Sequence, residues 1–330
     1  MCEESIKVFQ NSNMPVYNNV TNVVIGGVGG SSIAGVLVKD LLKNNFKQPM
    51  EIFSDYKLPK FANERTLCVC ASYSGNTEET LAQFVDAMKK GCKMITITSG
   101  GKLEEWSRKF KVPMLLVPKG FVPRESLLYL FVPLALCFGR MASIDFTDDV
   151  KEGISVIKKI NTQQIDAIAQ SCLDKEISVY SSHDYAGIVR RFKNDLNETA
   201  KIPVMHHEFP EMDHNEIVAY ENLELSKNKA LILLRDKDES FEMKSRIKIT
   251  KEIIHDSVAS VNEIWAEGNS RMAKILSLVF KSGYLAGKLA ELKGFDPRET
   301  KFIDQLKIRL KDEIGLVEKL EKEVEKLQTS

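Results

Sequence analysis

The chain has 330 residues, enough for two domains or one large α/β unit. Its 46 basic and 46 acidic residues cancel, which gives no electrostatic ground for nucleic acid or an anionic membrane as partner. At 43% hydrophobic it can bury a sizeable core, yet its longest apolar run, Leu127 to Phe138, contains Pro133 and is too short to span a bilayer. Six cysteines, at positions 2, 68, 70, 92, 137 and 172, show no metal-ligand spacing, and Met1 to Asn13 is polar. Reduced thiols in a cytoplasmic protein are the expectation, with no metal and no cofactor.

Val23-Val24-Ile25 reads as a strand, Gly26 to Ser32 as a glycine-rich turn and Ile33 to Leu42 as a helix. Gly27-x-Gly29, with Asp55 after a strand at Met50 to Phe53, invites a dinucleotide reading, but Ser32 stands where a third small residue belongs. The stretch that organises the chain follows. Leu67 to Cys70 is a short apolar strand, and Leu81 to Lys90 a helix stopped by Gly91. Between them, Ser72-x-Ser74-Gly75-x-Thr77 brings three hydroxyls and a helix N-terminus to the mouth of an open sheet, which suits a phosphate monoester. The alternative is a hydroxyl-rich helix cap with no ligand.

Next come a strand at Met94 to Thr98, a helix at Lys102 to Phe110 and a strand at Met114 to Val117. In the loop beyond, Arg124 follows Pro123 and is either an ordinary surface arginine or one fixed toward an anion. The polar break Ile144 to Asp149 places a domain boundary, giving domains 1–149 and 150–314 and a helical tail at 315–330. Val150 to Leu173 reads as one helix. Strands at Ile177 to Tyr180, Ala230 to Leu234 and Ser257 to Trp265 then alternate with helices at Tyr185 to Thr199, Phe241 to His255 and Ser270 to Leu292. Two β-α-β arrays of similar size imply a duplicated α/β fold with mostly parallel sheets. In the tail, Ile303, Leu310, Val317 and Val324 repeat every seven residues, with Leu306, Leu320 and Leu327 on a second seam and Gly315 in the middle. That predicts a long amphipathic helix, either a coiled coil or packed on its own domain.

Two groups suit proton transfer. Glu198 ends a helix, where the dipole opposes its charge and raises its pKa, and His214 follows sixteen residues later. Each alone could be structural. His206, His207 and His214 fit no common zinc spacing.

Gly29-Gly30-Ser31, Ser72 to Thr77, Pro123-Arg124, Asn197-Glu198-Thr199-Ala200-Lys201 with Pro203, and His214-Asn215-Glu216 stand in one order over residues 20–310. In this the chain resembles the bifunctional phosphoglucose/phosphomannose isomerases, members of the phosphoglucose isomerase superfamily built from two sugar-isomerase (SIS) domains. The resemblance implies two doubly wound SIS subdomains and a metal-independent interconversion of glucose 6-phosphate and mannose 6-phosphate with fructose 6-phosphate. By the same resemblance Ser72, Ser74 and Thr77, with Gly29, Gly30 and Ser31, would hold the substrate phosphate. Glu198 would be the base that moves a proton between C1 and C2, and Arg124 would face the enediolate. His214 would open the sugar ring from the neighbouring subunit of a homodimer, and Lys288 would assist. The short polar residue that the family carries about seven positions before that lysine falls at Lys281-Ser282 here, a departure, and the tail is longer than the family's usual end. A phosphosugar-binding regulator without turnover, and an isomerase of another sugar phosphate, are the competing readings.

Overall fold

A computed structural model describes residues 1–329, with side chains through Gln328. The chain divides into two compact units, residues 1–148 together with the stretch from Thr300 onward, and Asp149–Glu299.

In the first unit α1 (Cys2–Gln10) precedes β1 (Asn22–Gly26), α2 (Gly30–Leu42), β2 (Met50–Phe53) and β3 (Thr66–Ala71). Then come α3 (Glu78–Lys89), β4 (Lys93–Thr98), α4 (Gly101–Lys109), β5 (Met114–Leu116) and α5 (Leu127–Met141). The five strands are all parallel, in the order β2-β1-β3-β4-β5. A parallel sheet covered by helices demands strands apolar on both faces. β3 meets this with Thr66 to Ala71 buried throughout, as does Val23-Val24-Ile25 of β1. The chain leaves β1 toward β2 on one side and returns to β3 on the other. The β1/β3 boundary is therefore the topological switch point, where the loops that end both strands open a crevice.

The second unit holds α6 (Thr147–Ile157), which begins at the boundary, α7 (Gln163–Cys172), β6 (Glu176–Ser182), α8 (Ala186–Thr199) and β7 (Val204–Phe209). The short helices α9 (Glu216–Ala219) and α10 (Leu223–Ser226) lead to β8 (Lys229–Arg235), α11 (Phe241–Ile254), β9 (Ser260–Trp265) and α12 (Arg271–Lys293). Its four strands are parallel in the order β7-β6-β8-β9. This is the first sheet's order with the last strand missing, so the duplication expected from the alternating pattern is present in the topology.

Three local expectations need correction. The single helix at Val150 to Leu173 is two, because Asn161 Oδ1 accepts the Gln163 amide at 3.0 Å and starts a new helix there. β7 was not expected. The single long tail helix is broken into α13 (Lys301–Ile314) and α14 (Leu316–Thr329) by Gly315, which takes the left-handed conformation at φ 54°. α14 packs on α3, and its Leu320 and Val324 join the core of the first unit. α13 has no buried residue.

Candidate active site

The first switch point is built from three loops. After β3, Ser72 is buried and its hydroxyl lies 2.9 Å from that of Thr77, while the Gly75 amide donates to Ser72 Oγ at 3.1 Å. Thr77 is the N-cap residue of α3 but makes no side-chain cap bond, so its hydroxyl turns to Ser72 and not to the helix amides. The simple capping explanation for these hydroxyls therefore fails at Thr77. Ser74 is exposed, and its Oγ accepts the Asn76 amide at 3.3 Å. Gly75 sits at φ 71°, and a Cβ there would lie 1.7 Å from the Gly100 carbonyl oxygen, so only glycine fits.

The loop is held from below by the next one. Ser99 donates its amide and hydroxyl to the Tyr73 carbonyl at 2.9 and 2.7 Å, and the Leu103 amide donates to Gly75 O at 2.9 Å. Asn76 Oδ1 accepts the Lys102 amide at 3.0 Å and so caps α4 across the gap. Tyr73 reaches the other way, donating to Pro118 O at 2.8 Å and accepting the Phe121 amide at 3.2 Å. Tyr73 and Asn76 are scaffold residues that the sequence pattern did not single out.

The glycine turn after β1 closes the cradle. Gly29, the N-cap residue of α2, has φ 57°, and Ser31 is buried. A Cβ on Gly30 would lie 3.2 Å from the Pro123 carbonyl oxygen and 4.0 Å from Arg124 Cα. The loop carrying Arg124, itself buried, thus runs against the glycine turn. Gly29, Gly30, Ser31, Ser72, Ser74, Thr77 and Arg124 all stand at the C-terminal edge of one parallel sheet.

In the second unit Glu198 lies one residue from the C-terminus of α8 and is half-buried. One turn earlier, Asp195 is buried and takes Arg191 Nε and Nη2 at 2.7 Å each, and Ser282 Oγ from α12 at 2.6 Å. This pins α8 to α12 directly ahead of Glu198. Lys201, at φ 58°, donates to the Glu198 carbonyl at 2.5 Å and to the Glu299 carbonyl at 2.7 Å.

His214 stands elsewhere. It follows β7 in a single 3-10 turn whose other residues are tied down. Met212 is fully buried, Asp213 accepts from Thr250 at 2.9 Å and Arg246 at 3.1 Å, and Glu216 accepts from Tyr180 at 2.8 Å. Asn215 caps α9 by accepting the Glu216 amide. The His214 ring is exposed and, among the described residues, makes no hydrogen bond. Because α8 returns from the C-terminal edge of the sheet to the start of β7, Glu198 lies at the N-terminal edge and His214 at the C-terminal edge. The six residues of β7 put roughly 17–20 Å between them.

Lys288, on α12, pairs with Glu291 at 3.0 Å, and that bond raises its pKa above the ordinary lysine value. Lys281, seven residues before it, is buried and donates to Trp265 O at 2.7 Å and to Glu267 at 2.6 Å. Thr300 and Lys307 show the same seven-residue spacing at the start and middle of α13. His206, His207 and His214 do not gather, and no three His, Cys, Asp or Glu side chains among the described residues could hold a metal ion.

The second switch point, between β6 and β8, carries different chemistry. Tyr185 donates to Asp236 at 2.5 Å, Lys274 pairs with Asp236 at 2.7 Å and also with Asp238, and Arg271 lies over the Tyr185 ring. Carboxylates stand there instead of the hydroxyls and glycines of the first.

Residues 161–310 match the model of the bacterial phospho-glucose isomerase C-terminal SIS domain. The C-terminal domain of glucosamine-fructose-6-phosphate aminotransferase from Francisella tularensis shares the fold, with a TM-score of 0.72 at 15% identity over 90% of this chain and 95% of that one. The bifunctional phosphoglucose/phosphomannose isomerase of Caldicellulosiruptor bescii is 35% identical over 88% of this chain and 90% of its own. The enzyme of the same name from Aquifex aeolicus is 36% identical with the same coverage. Two relatives so close over so much of both sequences settle the lineage: the chain belongs to the bifunctional phosphoglucose/phosphomannose isomerase family.

Proposed function

We propose that the chain is an aldose–ketose isomerase that interconverts glucose 6-phosphate and mannose 6-phosphate with fructose 6-phosphate. Family membership carries this reading, and the cradle at the first switch point supports it with hydroxyls and glycines suited to a sugar phosphate. In this reading Ser72, Ser74 and Thr77, with Ser31 and the backbone of Gly29 and Gly30, hold the non-reacting phosphate end. Their binding energy orients the carbons that react.

His214 opens the pyranose ring by proton transfer to its oxygen. Glu198 takes the C2 proton of the open-chain aldose and returns it to C1, while the hydroxyl hydrogen on O2 passes to O1. Arg124 balances the negative charge of the enediolate between these steps. Returning the proton to one face of C2 gives the glucose epimer and to the other the mannose epimer. Nothing in these steps needs a metal.

His214 acts on the site of a neighbouring copy. Three observations support that: its exposed ring, its anchored loop and its separation from Glu198 across β7. The chain is accordingly a homodimer, and its six unpaired thiols fit the cytoplasm. A lysine assists ring opening, and two are candidates. Lys288 is already paired with Glu291, and the position seven before it holds a buried lysine. Lys307, with Thr300 seven before it, matches the spacing better. Alanine at each, compared in the ring-opening step with α-glucose 6-phosphate, decides between them.

The test of the main reading is a coupled assay from fructose 6-phosphate that reads glucose 6-phosphate and mannose 6-phosphate separately. Both products are expected. Binding without turnover would make the chain a phosphosugar sensor, and turnover of a different sugar phosphate alone would reassign its substrate.

A further inference from the structure

Helix α8 ends one residue beyond Glu198, and the way it ends is unusual. Both the Ala200 and the Ile202 amides return to the Leu196 carbonyl, at 3.1 and 3.2 Å, with Lys201 between them at φ 58°. Glycine takes this left-handed position without cost, and a residue with a Cβ does not. Lysine supplies nothing that the turn itself needs. Its side chain instead folds back, so that one ammonium bridges two main-chain carbonyls 101 positions apart, at 2.5 Å from Glu198 and 2.7 Å from Glu299. The first is among the last carbonyls of a helix, which lack a partner inside it. The second belongs to the segment that enters α13. Lys111, just past the end of α4 in the same conformation, makes no such bridge among the described residues.

We infer that Lys201 is a positioning residue for the isomerisation, an inference that rests on Glu198 being the base. Its ammonium locks the backbone of Glu198 to the Glu299 segment and so fixes where the carboxylate stands relative to C1 and C2. The rest of the helix end is held separately, one turn earlier, where the Asp195 carboxylate accepts from Arg191 and Ser282. Without the bridge the last turn of α8 frays, and a displacement of about 1 Å at a base can cost on the order of a hundredfold in rate.

The experiment compares Lys201→Gly, Lys201→Met and Lys201→Arg with wild type for kcat, KM and melting temperature, with Glu198→Gln alongside. Glycine suits the backbone and removes the side chain, while methionine keeps an aliphatic stem and removes the ammonium, so a loss shared by the two is assigned to the ammonium. The expected result is a kcat lowered by about ten- to a hundredfold in both Lys201→Gly and Lys201→Met, with KM for fructose 6-phosphate within about twofold of wild type. Lys201→Arg, which keeps the donor, should recover a large part of the rate. Wild-type kcat in Lys201→Gly would reduce Lys201 to a helix terminator and overturn the inference. A raised KM at unchanged kcat would do the same by making it a substrate-binding group. Glu198→Gln separates the two ideas. If it still exchanges the C2 proton with solvent at the wild-type rate, the base is elsewhere and the positioning role falls with it. If it is inert while Lys201→Gly is fully active, only the positioning role falls.

Discussion

At the scale of single residues, the proposed phosphate cradle makes the most direct prediction. Ser74 and Thr77 carry hydroxyls that suit a dianion, and hydrogen bonds to a charged group contribute about 1.5–3 kcal/mol each. The double variant Ser74→Ala with Thr77→Ala should therefore raise KM for fructose 6-phosphate by about a hundredfold or more, and an unchanged KM would remove these residues from the phosphate site. These hydroxyls were legible in the sequence because Ser-x-Ser-Gly-x-Thr sits between a buried strand and a helix. Tyr73 and Asn76, which hold that loop in place, were not, since each acts on a loop more than twenty residues away. A second prediction concerns His206 on β7. Its burial lowers its pKa from the ordinary 6.5, with the Glu208 carboxylate opposing and Lys193 and Arg190 reinforcing. A histidine held neutral stabilises the fold fully above 6.5, and that contribution is lost as pH falls through the lowered folded value. Urea midpoints should thus drop below pH 6.5 in wild type and drop less in His206→Gln. Parallel acid limbs would show that another group sets the slope.

At the scale of elements, most of the first unit could be read from its apolar runs, because a parallel sheet buried on both faces writes itself as Val23 to Ile25, Leu67 to Cys70 and Met94 to Thr98. β7 could not be read. Its residues Val204-Met205-His206-His207-Glu208-Phe209 lack both a continuous apolar run and a clean alternation, and the strand exists through its pairing with β6 along one edge of the sheet. The tail misled in the opposite way. One seam of its seven-residue repeat, Ile303 to Val324, runs on through Gly315 although Glu313 interrupts the other, but the chain does not: the left-handed glycine ends α13 and frees α14 to dock on α3. Lys102–Glu321 and Lys89–Glu323 ion pairs, both at 2.6 Å, rim that contact, while Leu320 and Val324 form its buried centre. Exposed ion pairs contribute little, so the apolar pair should dominate. Leu320→Ala is expected to lower unfolding free energy by about 2–5 kcal/mol, and Lys102→Ala by less than about 1 kcal/mol. Equal effects in urea titration would mean that α14 is held by charge and not by packing.

At the scale of the whole molecule, the question is which copy of the chain supplies each group to a given reaction. Glu198 and His214 both come from the second unit, yet α8 delivers the first to one edge of its sheet and β7 carries the second to the other. The proposed two-fold dimer would resolve this, because whatever one copy lends the other lends back. Mixing two inactive variants tests it. Take Glu198→Ala and His214→Ala, confirm that each is inactive alone, and let subunits exchange. In a mixed dimer one site lacks both groups. The other combines Glu198 from the His214 variant with His214 from the Glu198 variant and is whole. Random exchange makes about half of the dimers mixed, each with one whole site of two, so activity should return to about a quarter of wild type. If His214 served its own copy, every site would lack one group and no activity would return. Verified exchange without recovery would therefore overturn the shared site and require another group near Glu198 to open the ring, leaving the isomerase assignment itself intact.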